Sequence, residues 1–205
     1  MSIEYIFFDL GKVIFDFDHA RGCQQVANVT GCSADDAQEI IFDSGLEVEY
    51  ETGLIDSHQF HQRFSEASGT RSDLVDFLNA CGDIFTLNAP MMPLIGQLSA
   101  VGFPMGILSN TCEAHWKHVH QKYAFLRQNF RDYILSYQSK SMKPDRSIYQ
   151  DAIDAAGKPA KQIFFIDDRQ ENVDGAIEAG MDAVLYETAG QAIKELLDRG
   201  IRFNL

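Results

Sequence analysis

Three apolar runs in this chain each stop abruptly at a reactive polar residue. Ile6-Phe7-Phe8 ends at Asp9, Gly106-Ile107-Leu108 at Ser109-Asn110, and Phe164-Phe165-Ile166 at Asp167-Asp168. A fourth polar group, Lys143, stands directly before Pro144. Short runs rich in aromatic and branched residues read as buried strands. Helical patterns separate them, and strands alternating with helices imply an α/β fold with a doubly wound, mostly parallel sheet. In such a sheet the carboxyl ends of the strands share one edge, where open α/β sheets bind ligands. The pattern therefore gathers a carboxylate, a hydroxyl with an amide, a lysine and an acid pair at one place.

The alternation has one long interruption. Ile3 to Phe8 reads as the first strand, and Gly11 with the alternating Val13 to Asp18 as a tight turn followed by a short extended ribbon. A helical pattern then persists to residue 89, punctuated by Gly31, Gly45, Gly53, Gly69 and Gly82. Ser33 with Asp36 and Thr70 with Asp73 have capping-box spacing, and Asp56 precedes a run that places Phe60 and Phe64 on one face. About four helices are expected there. Pro90 and Pro93 open the next helix, followed by strand 103–109. A helix follows Thr111 as its N-cap, with Glu113 and Lys117 one turn apart. Strand 132–136 comes next, and Pro144 is placed to start a helix that Gly157 ends. Strand 162–166, helix 171–179, strand 182–186 and helix 191–199 complete the chain. Residues 1–15 and 90–205 are expected to form one core, and residues 16–89 a helical insert.

Composition narrows the partners. Of 205 residues, 45% are hydrophobic and 23% charged, the balance of an ordinary soluble globular chain. A net charge of −13 leaves no basic stripe for nucleic acid. Cys23, Cys32, Cys81 and Cys112 lack metal-site spacing and read as free thiols in a reducing compartment. The amino-terminal apolar run carries Glu4 and stops at Asp9, unlike a signal peptide. No segment approaches the roughly 20 apolar residues that span a bilayer. The expectation is a cytoplasmic protein acting on a small molecule.

Each polar group has a chemical use and a plain structural one. Asp9 can attack phosphorus to give an aspartyl-phosphate, or cap a turn. Ser109 and Asn110 can hold phosphate oxygens, or cap a helix. Lys143 can neutralise charge on a phosphoryl group, or sit in solvent. Adjacent Asp167 and Asp168 repel each other, and a hard divalent cation such as Mg²⁺ relieves that repulsion. Asn172 lies about one helical turn further on, where it can orient a metal-bound group.

Together these pieces resemble the haloacid dehalogenase-like hydrolase superfamily. The resemblance rests on FFDLGKV (7–13), ILSNT (107–111), MKP (142–144) and FIDDRQEN (165–172), and it extends over essentially the whole chain. It implies a Rossmann-like hydrolase core with an inserted α-helical cap, and a Mg²⁺-dependent phosphatase. By that resemblance Asp9 is nucleophile and metal ligand, and the Gly11 carbonyl is a second ligand. Ser109 and Asn110 bind the phosphoryl group, Lys143 neutralises charge, Asp168 ligates the metal, and Asp167 and Asn172 support it. The DLGxV opening and the cap length look like the sugar-phosphatase branch acting on α-D-glucose 1-phosphate.

One position departs from the family pattern. Most phosphatases of this kind carry an acid/base aspartate two residues after the nucleophile, and Gly11 stands there. General acid catalysis contributes roughly 10²–10⁴-fold, so its loss matters most for poor leaving groups. Asp16 or Asp18 is a candidate substitute. In the cap, Arg21, Arg63, Arg71, His19, His58, His61, Glu47 and Glu51 are candidates for holding sugar hydroxyls, while Phe42, Tyr50, Phe60, Phe64 and Phe77 read as cap core. Other readings stay open: a haloacid dehalogenase or other C–X hydrolase on the same scaffold, a non-catalytic binding protein, and a phosphomutase.

Overall fold

The computed structural model describes residues 2–203. Its chain order begins with β1 (Tyr5–Phe8) and β2 (Phe15–Phe17), followed by α1 (His19–Thr30), α2 (Ala34–Gln38), α3 (Leu46–Glu51), α4 (Ser57–Ser68) and α5 (Leu74–Gly82). Next come β3 (Phe85–Leu87), α6 (Met92–Ala100), β4 (Met105–Ser109), α7 (Glu113–Lys122), α8 (Ala124–Asn129), β5 (Asp132–Leu135) and α9 (Ser136–Ser139). The chain closes with α10 (Arg146–Ala156), β6 (Ile163–Asp167), α11 (Gln170–Glu178), β7 (Asp182–Leu185) and α12 (Ala189–Asp198).

Five strands form one parallel sheet in the order β5-β4-β1-β6-β7. Strand β1 is its centre, because the chain builds outward from β1 on one side and then crosses to the other. That reversal makes the carboxyl end of β1 the switch point where such sheets bind ligands. Helices cover both faces, so the inner strands β1, β4 and β6 are buried on both sides and can be apolar almost throughout. Ile6, Phe8, Ile107, Phe164 and Ile166 pack into one cluster. Their alternates Tyr5, Phe7, Leu108, Ile163 and Phe165 pack into the other.

Residues between β1 and β4 build a separate cluster from Cys23, Val26, Ile41, Tyr50, Phe60, Phe64 and Phe77, joined by Cys112 and Ala114. The cap aromatics are thus buried as expected, with Phe42 partly buried against them. Five helices and one π-helical turn (Glu39–Asp43) stand here, rather than about four. Two structural details differ from the sequence reading of this segment. Strand β3 pairs antiparallel with β2, Phe17 facing Phe85, so both chain crossings are zipped into one ribbon. Asp73 alone caps α5, accepting from Val75 and Asp76 N–H, so Thr70 is not the cap.

Two further expectations shift for tertiary reasons. Helix α7 is preceded by Cys112, not Thr111, because the buried Ser136 hydroxyl binds the Thr111 N–H (2.9 Å). Helix α10 begins at Arg146, after an Asp145 N-cap. Pro144 instead packs against α11, where a Cβ added at Gly175 would lie 3.0 Å from it. The capping boxes at Ser33 and Asp56, the Glu113–Lys117 pair (2.8 Å) and the Gly157 C-cap are present.

Candidate active site at the carboxyl edge of the sheet

Register sets the site. Phe8 pairs with both Ile107 and Ile166, so Asp9 and Asp167 leave their strands at the same level. Lys143 reaches them from the loop before α10. Its ammonium has three protons, and each finds an acceptor on a different strand. Asp9 Oδ1 is at 2.7 Å, Asp167 Oδ2 at 2.6 Å and the Leu108 carbonyl at 2.9 Å. The Lys143 side chain is only 1% exposed.

The lysine is itself held in place. Asn110 Nδ2 donates to the Lys143 carbonyl (2.9 Å), and the Lys143 N–H donates to Asn110 Oδ1 (2.8 Å). The Asn110 side chain is thereby committed to positioning Lys143, a task its sequence did not announce. Ser109 is buried at the end of β4 and lines the same cavity.

The acid pair divides its work. Asp167 is fully buried, and both its oxygens are engaged by Lys143, Asn172 Nδ2 (3.0 and 3.1 Å) and the Arg169 N–H (2.8 Å). Asp168 has no hydrogen-bonded partner for its carboxylate among the described residues, and neither has Asp9 Oδ2. Oxygens of Asp9, Asp167 and Asp168 lie within 4.8 Å of one another. Gly11 borders the same cavity, and its carbonyl accepts the Val13 N–H (2.7 Å), leaving one lone pair.

The electrostatics of the site suit a bound cation. Asp9 is raised to about 7, because burial together with Asp167 and Asp168 outweighs the lowering by Lys143. Burial and Asp167 push Asp168 up as well. Burial lowers the Lys143 ammonium, but Asp167 and Asp9 outweigh that and hold it above its ordinary value. Three carboxylates face one ammonium, so a divalent ion at the unpartnered oxygens of Asp9 and Asp168 fits the charge and the donor type.

A cavity of about 340 Å³ lies over this edge. Asp9, Gly11, Ser109, Asn110, Lys143, Asp168, Arg169 and Asn172 border it from the sheet side, and Glu47 and Glu51 of α3 from above. Of the cap candidates, His19, Glu47 and Glu51 reach it. Arg21 instead pairs with Asp83 (2.6 Å), Arg63 with Glu49 (2.7 Å) and His61 with Ser72 (3.0 Å). His58 and Arg71 are exposed and lie outside it. Asp16 sits 3.7 Å from Lys12 in solvent, and Asp18 caps α1 through the Arg21 N–H (3.1 Å). Lys12 adopts φ 59° and lays its ammonium over the Phe17 ring, 4.7 Å from the centroid. Sequence reading passed over Arg169 and Phe17, both of which border the cavity. Arg169 sits within the FIDDRQEN stretch, whereas Phe17 carries no local cue.

Comparison with known proteins agrees with this geometry. A family profile described as haloacid dehalogenase-like hydrolase matches residues 3–180. The chain is a haloacid dehalogenase-like hydrolase. A pyrimidine 5'-nucleotidase (YjjG) of Escherichia coli K12 is 28% identical over 195 residues, 88% of this chain and 84% of that protein. Flavin mononucleotide hydrolase 1 of Arabidopsis thaliana is 27% identical over 158 residues, 77% of this chain and 63% of that protein. A haloacid dehalogenase family enzyme of Bacteroides thetaiotaomicron, solved with magnesium and inorganic phosphate, is 25% identical with a TM-score of 0.79, covering 91% of this chain and 96% of that one. L-2-haloacid dehalogenase of Xanthobacter autotrophicus shares the fold (TM-score 0.63, 18% identity, 98% and 84% covered). Among the described residues, no helix is long and apolar enough to cross a membrane, and all four cysteines are free thiols.

Proposed function

We propose that this hydrolase is a Mg²⁺-dependent phosphatase that cleaves the phosphomonoester of a small sugar through an aspartyl-phosphate on Asp9. The observation that carries this reading is the Lys143 ammonium bonded to Asp9 and Asp167, beside the unpartnered Asp168. Residues 1–15 and 90–205 act as the catalytic core, and residues 16–89 as the cap that closes over substrate.

In this reading Asp9 Oδ1 is oriented by Lys143, and the other Asp9 oxygen, the Gly11 carbonyl and Asp168 would hold Mg²⁺. Asp167 and Asn172 fix the surroundings of those ligands. The bound cation supplies charge neutralisation for the phosphoryl oxygens. Ser109 and the Asn110 region receive the remaining phosphoryl oxygens, and Lys143, its three protons already engaged, contributes its positive charge beside them. Attack by Asp9 forms the acyl phosphate, and water then releases inorganic phosphate. The magnesium- and phosphate-bound Bacteroides relative supports this chemistry.

The cap supports a neutral, hydroxyl-rich leaving group. Glu47 and Glu51 present carboxyl groups to substrate hydroxyls, and among the described residues no Lys or Arg of 16–89 borders the cavity to receive a further anion. The best fit is a sugar phosphate of the glucose 1-phosphate type. A pyrimidine nucleotide or flavin mononucleotide is the second reading, favoured by the activities of the two sequence relatives. A panel of sugar phosphates, nucleoside monophosphates and flavin mononucleotide, assayed for released phosphate with Mg²⁺ or EDTA, decides between them. Glucose 1-phosphate is expected to lead the panel. Chloride release from 2-chloropropionate without Mg²⁺, or the absence of any phosphate release, refutes the proposal.

A further inference from the structure

The phosphatase reading leaves one chemical role unfilled: nothing at position 11 can move a proton. The vacancy is not repairable in place, because a Cβ added at Gly11 would lie 2.9 Å from the Phe17 ring. Asp16 and Asp18 are occupied elsewhere, as described, and neither borders the cavity.

The remaining ionisable groups around the cavity can be sorted by what they already do. Lys143 has all three protons engaged, and Asp9 and Asp168 serve the cation. The His19 ring is stacked between Phe17 and Phe42, with centroids at 5.0 and 4.5 Å, and burial lowers its affinity for a proton. Burial pushes His115 down to about 3, so it is neutral and has no acidic proton to give. Glu47 and Glu51 remain. They stand one turn apart on α3, and neither carboxylate has a hydrogen bond or ion pair among the described residues.

Both border the cavity, but Glu51 is the one that responds to the reacting groups: Asp9 raises its carboxyl while Arg169 and Lys143 draw it down, whereas Glu47 is raised by Glu51. The core also fastens its backbone. The Ser136 hydroxyl donates to the Glu51 carbonyl (2.6 Å), and two residues on, Gly53 (φ +71°) packs so tightly that a Cβ would lie 2.1 Å from the Tyr137 carbonyl. The hydroxyl of Thr52 meets Met142 Sδ at 2.9 Å, next to Lys143. Glu51 thus belongs to the cap by sequence but is held by the sheet edge.

We infer that Glu51 is the proton-transfer residue of this site, reaching down from the cap to replace the acid/base absent at position 11. The inference rests on phosphoryl transfer to Asp9. As Asp9 attacks phosphorus, the bond from phosphorus to the leaving oxygen breaks, and Glu51 gives its proton to that oxygen to release the alcohol. The Glu51 carboxylate then takes a proton from the water that attacks the aspartyl-phosphate. The bond from phosphorus to Asp9 breaks, inorganic phosphate leaves, and Glu51 is again protonated. Burial and the nearby Asp9 push Glu51 up to about 7, and burial with Glu51 pushes Glu47 up to about 8. A carboxylic acid in that range is suited to proton transfer near neutral pH.

The test compares single-turnover cleavage of an alkyl phosphate and of p-nitrophenyl phosphate, whose leaving group needs no proton. In Glu51→Gln the alkyl substrate is expected to slow by about 10²–10⁴-fold and the nitrophenyl substrate by less than about tenfold. Equal losses on both substrates, or no loss on either, overturn the inference while leaving Asp9 chemistry intact. If Glu51→Gln does not fold, the wild-type enzyme decides: a weak dependence of rate on leaving-group acidity supports a general acid, and a steep one overturns it. A wild-type enzyme inactive on both substrates with Mg²⁺ refutes the underlying phosphatase reading as well.

Discussion

The ring of Phe17 occupies the space a side chain at position 11 would need, with Cε1 2.9 Å from where a Gly11 Cβ would stand. The ring is held by Phe85 across the ribbon, by the stacked His19 and by the Lys12 ammonium above it. Restoring the family aspartate therefore overpacks the site. Gly11→Asp is expected to destabilise the fold by about 1–3 kcal/mol without raising turnover. Adding Phe17→Ala should recover part of that loss. Thermal unfolding of the single and double variants, with parallel phosphatase assays, checks both statements. A Gly11→Asp enzyme faster than wild type contradicts this account.

Removing the buried cation should be costly in a pH-dependent way. Lys143→Met leaves Asp9 and Asp167 facing each other without compensation, and breaking a buried pair typically costs about 3–5 kcal/mol. The loss should be larger at alkaline pH than in acid, because Asp9, raised to about 7, carries its charge only above that range. Denaturant unfolding at two pH values measures it, and activity should be lost throughout.

Glu47 and Glu51 set a pH dependence of stability with a definite sign. Both have folded values raised, to about 8 and about 7, from an ordinary 4.5. The folded state thus keeps protons that the unfolded chain releases. Their contribution is fully present below the ordinary value and is lost as pH rises toward the folded values. The metal-free protein should lose melting temperature between pH 5 and pH 8, and Glu47→Gln should flatten that slope. An unchanged slope in the variant contradicts the assignment.

The cap seat has a single-residue test. Gly53 combines φ +71° with the close approach to the Tyr137 carbonyl. Gly53→Ala is expected to destabilise by about 1–3 kcal/mol from strain and overlap. The damage is local to the α3–sheet contact, so limited proteolysis should cut first in the α3–α4 connection. A variant as stable and as protease-resistant as wild type shows that the contact is dispensable.

Asn172→Ala should weaken Mg²⁺ binding by about 10–100-fold, because Asn172 donates to both oxygens of Asp167 beside Asp168, the proposed ligand. Titration calorimetry with MgCl₂ reads this directly, without substrate. Affinity equal to wild type removes Asn172 from the metal's support.

The legible parts of this protein were those written in local pattern. The strands β1, β4 and β6 announce themselves because both faces are buried and the run before each polar terminus is apolar. Their polar termini fall at one edge because parallel strands share a direction. The capping box at Ser33 was equally readable, since cap and first turn lie within a few residues. By contrast, β3 is only Phe85–Leu87, and it is a strand because β2 lies beside it. Pro144 looked like a helix start from its neighbours alone, but Asn110, far away in sequence, holds the Lys143 backbone where the helix would begin.

Chemistry-bearing residue types and the sheet that gathers them follow from chain order, because hydrophobic periodicity and strand direction are local properties. Which of those residues are free to act does not. Asn110 is committed to Lys143, Asp167 to Asn172 and Arg169, and Asp16 and Asp18 to the ribbon and α1, while Asp168, Glu47 and Glu51 are left facing the cavity. Those assignments depend on hydrogen bonds and ring contacts between segments remote in the chain, and only packing in three dimensions brings such partners within reach.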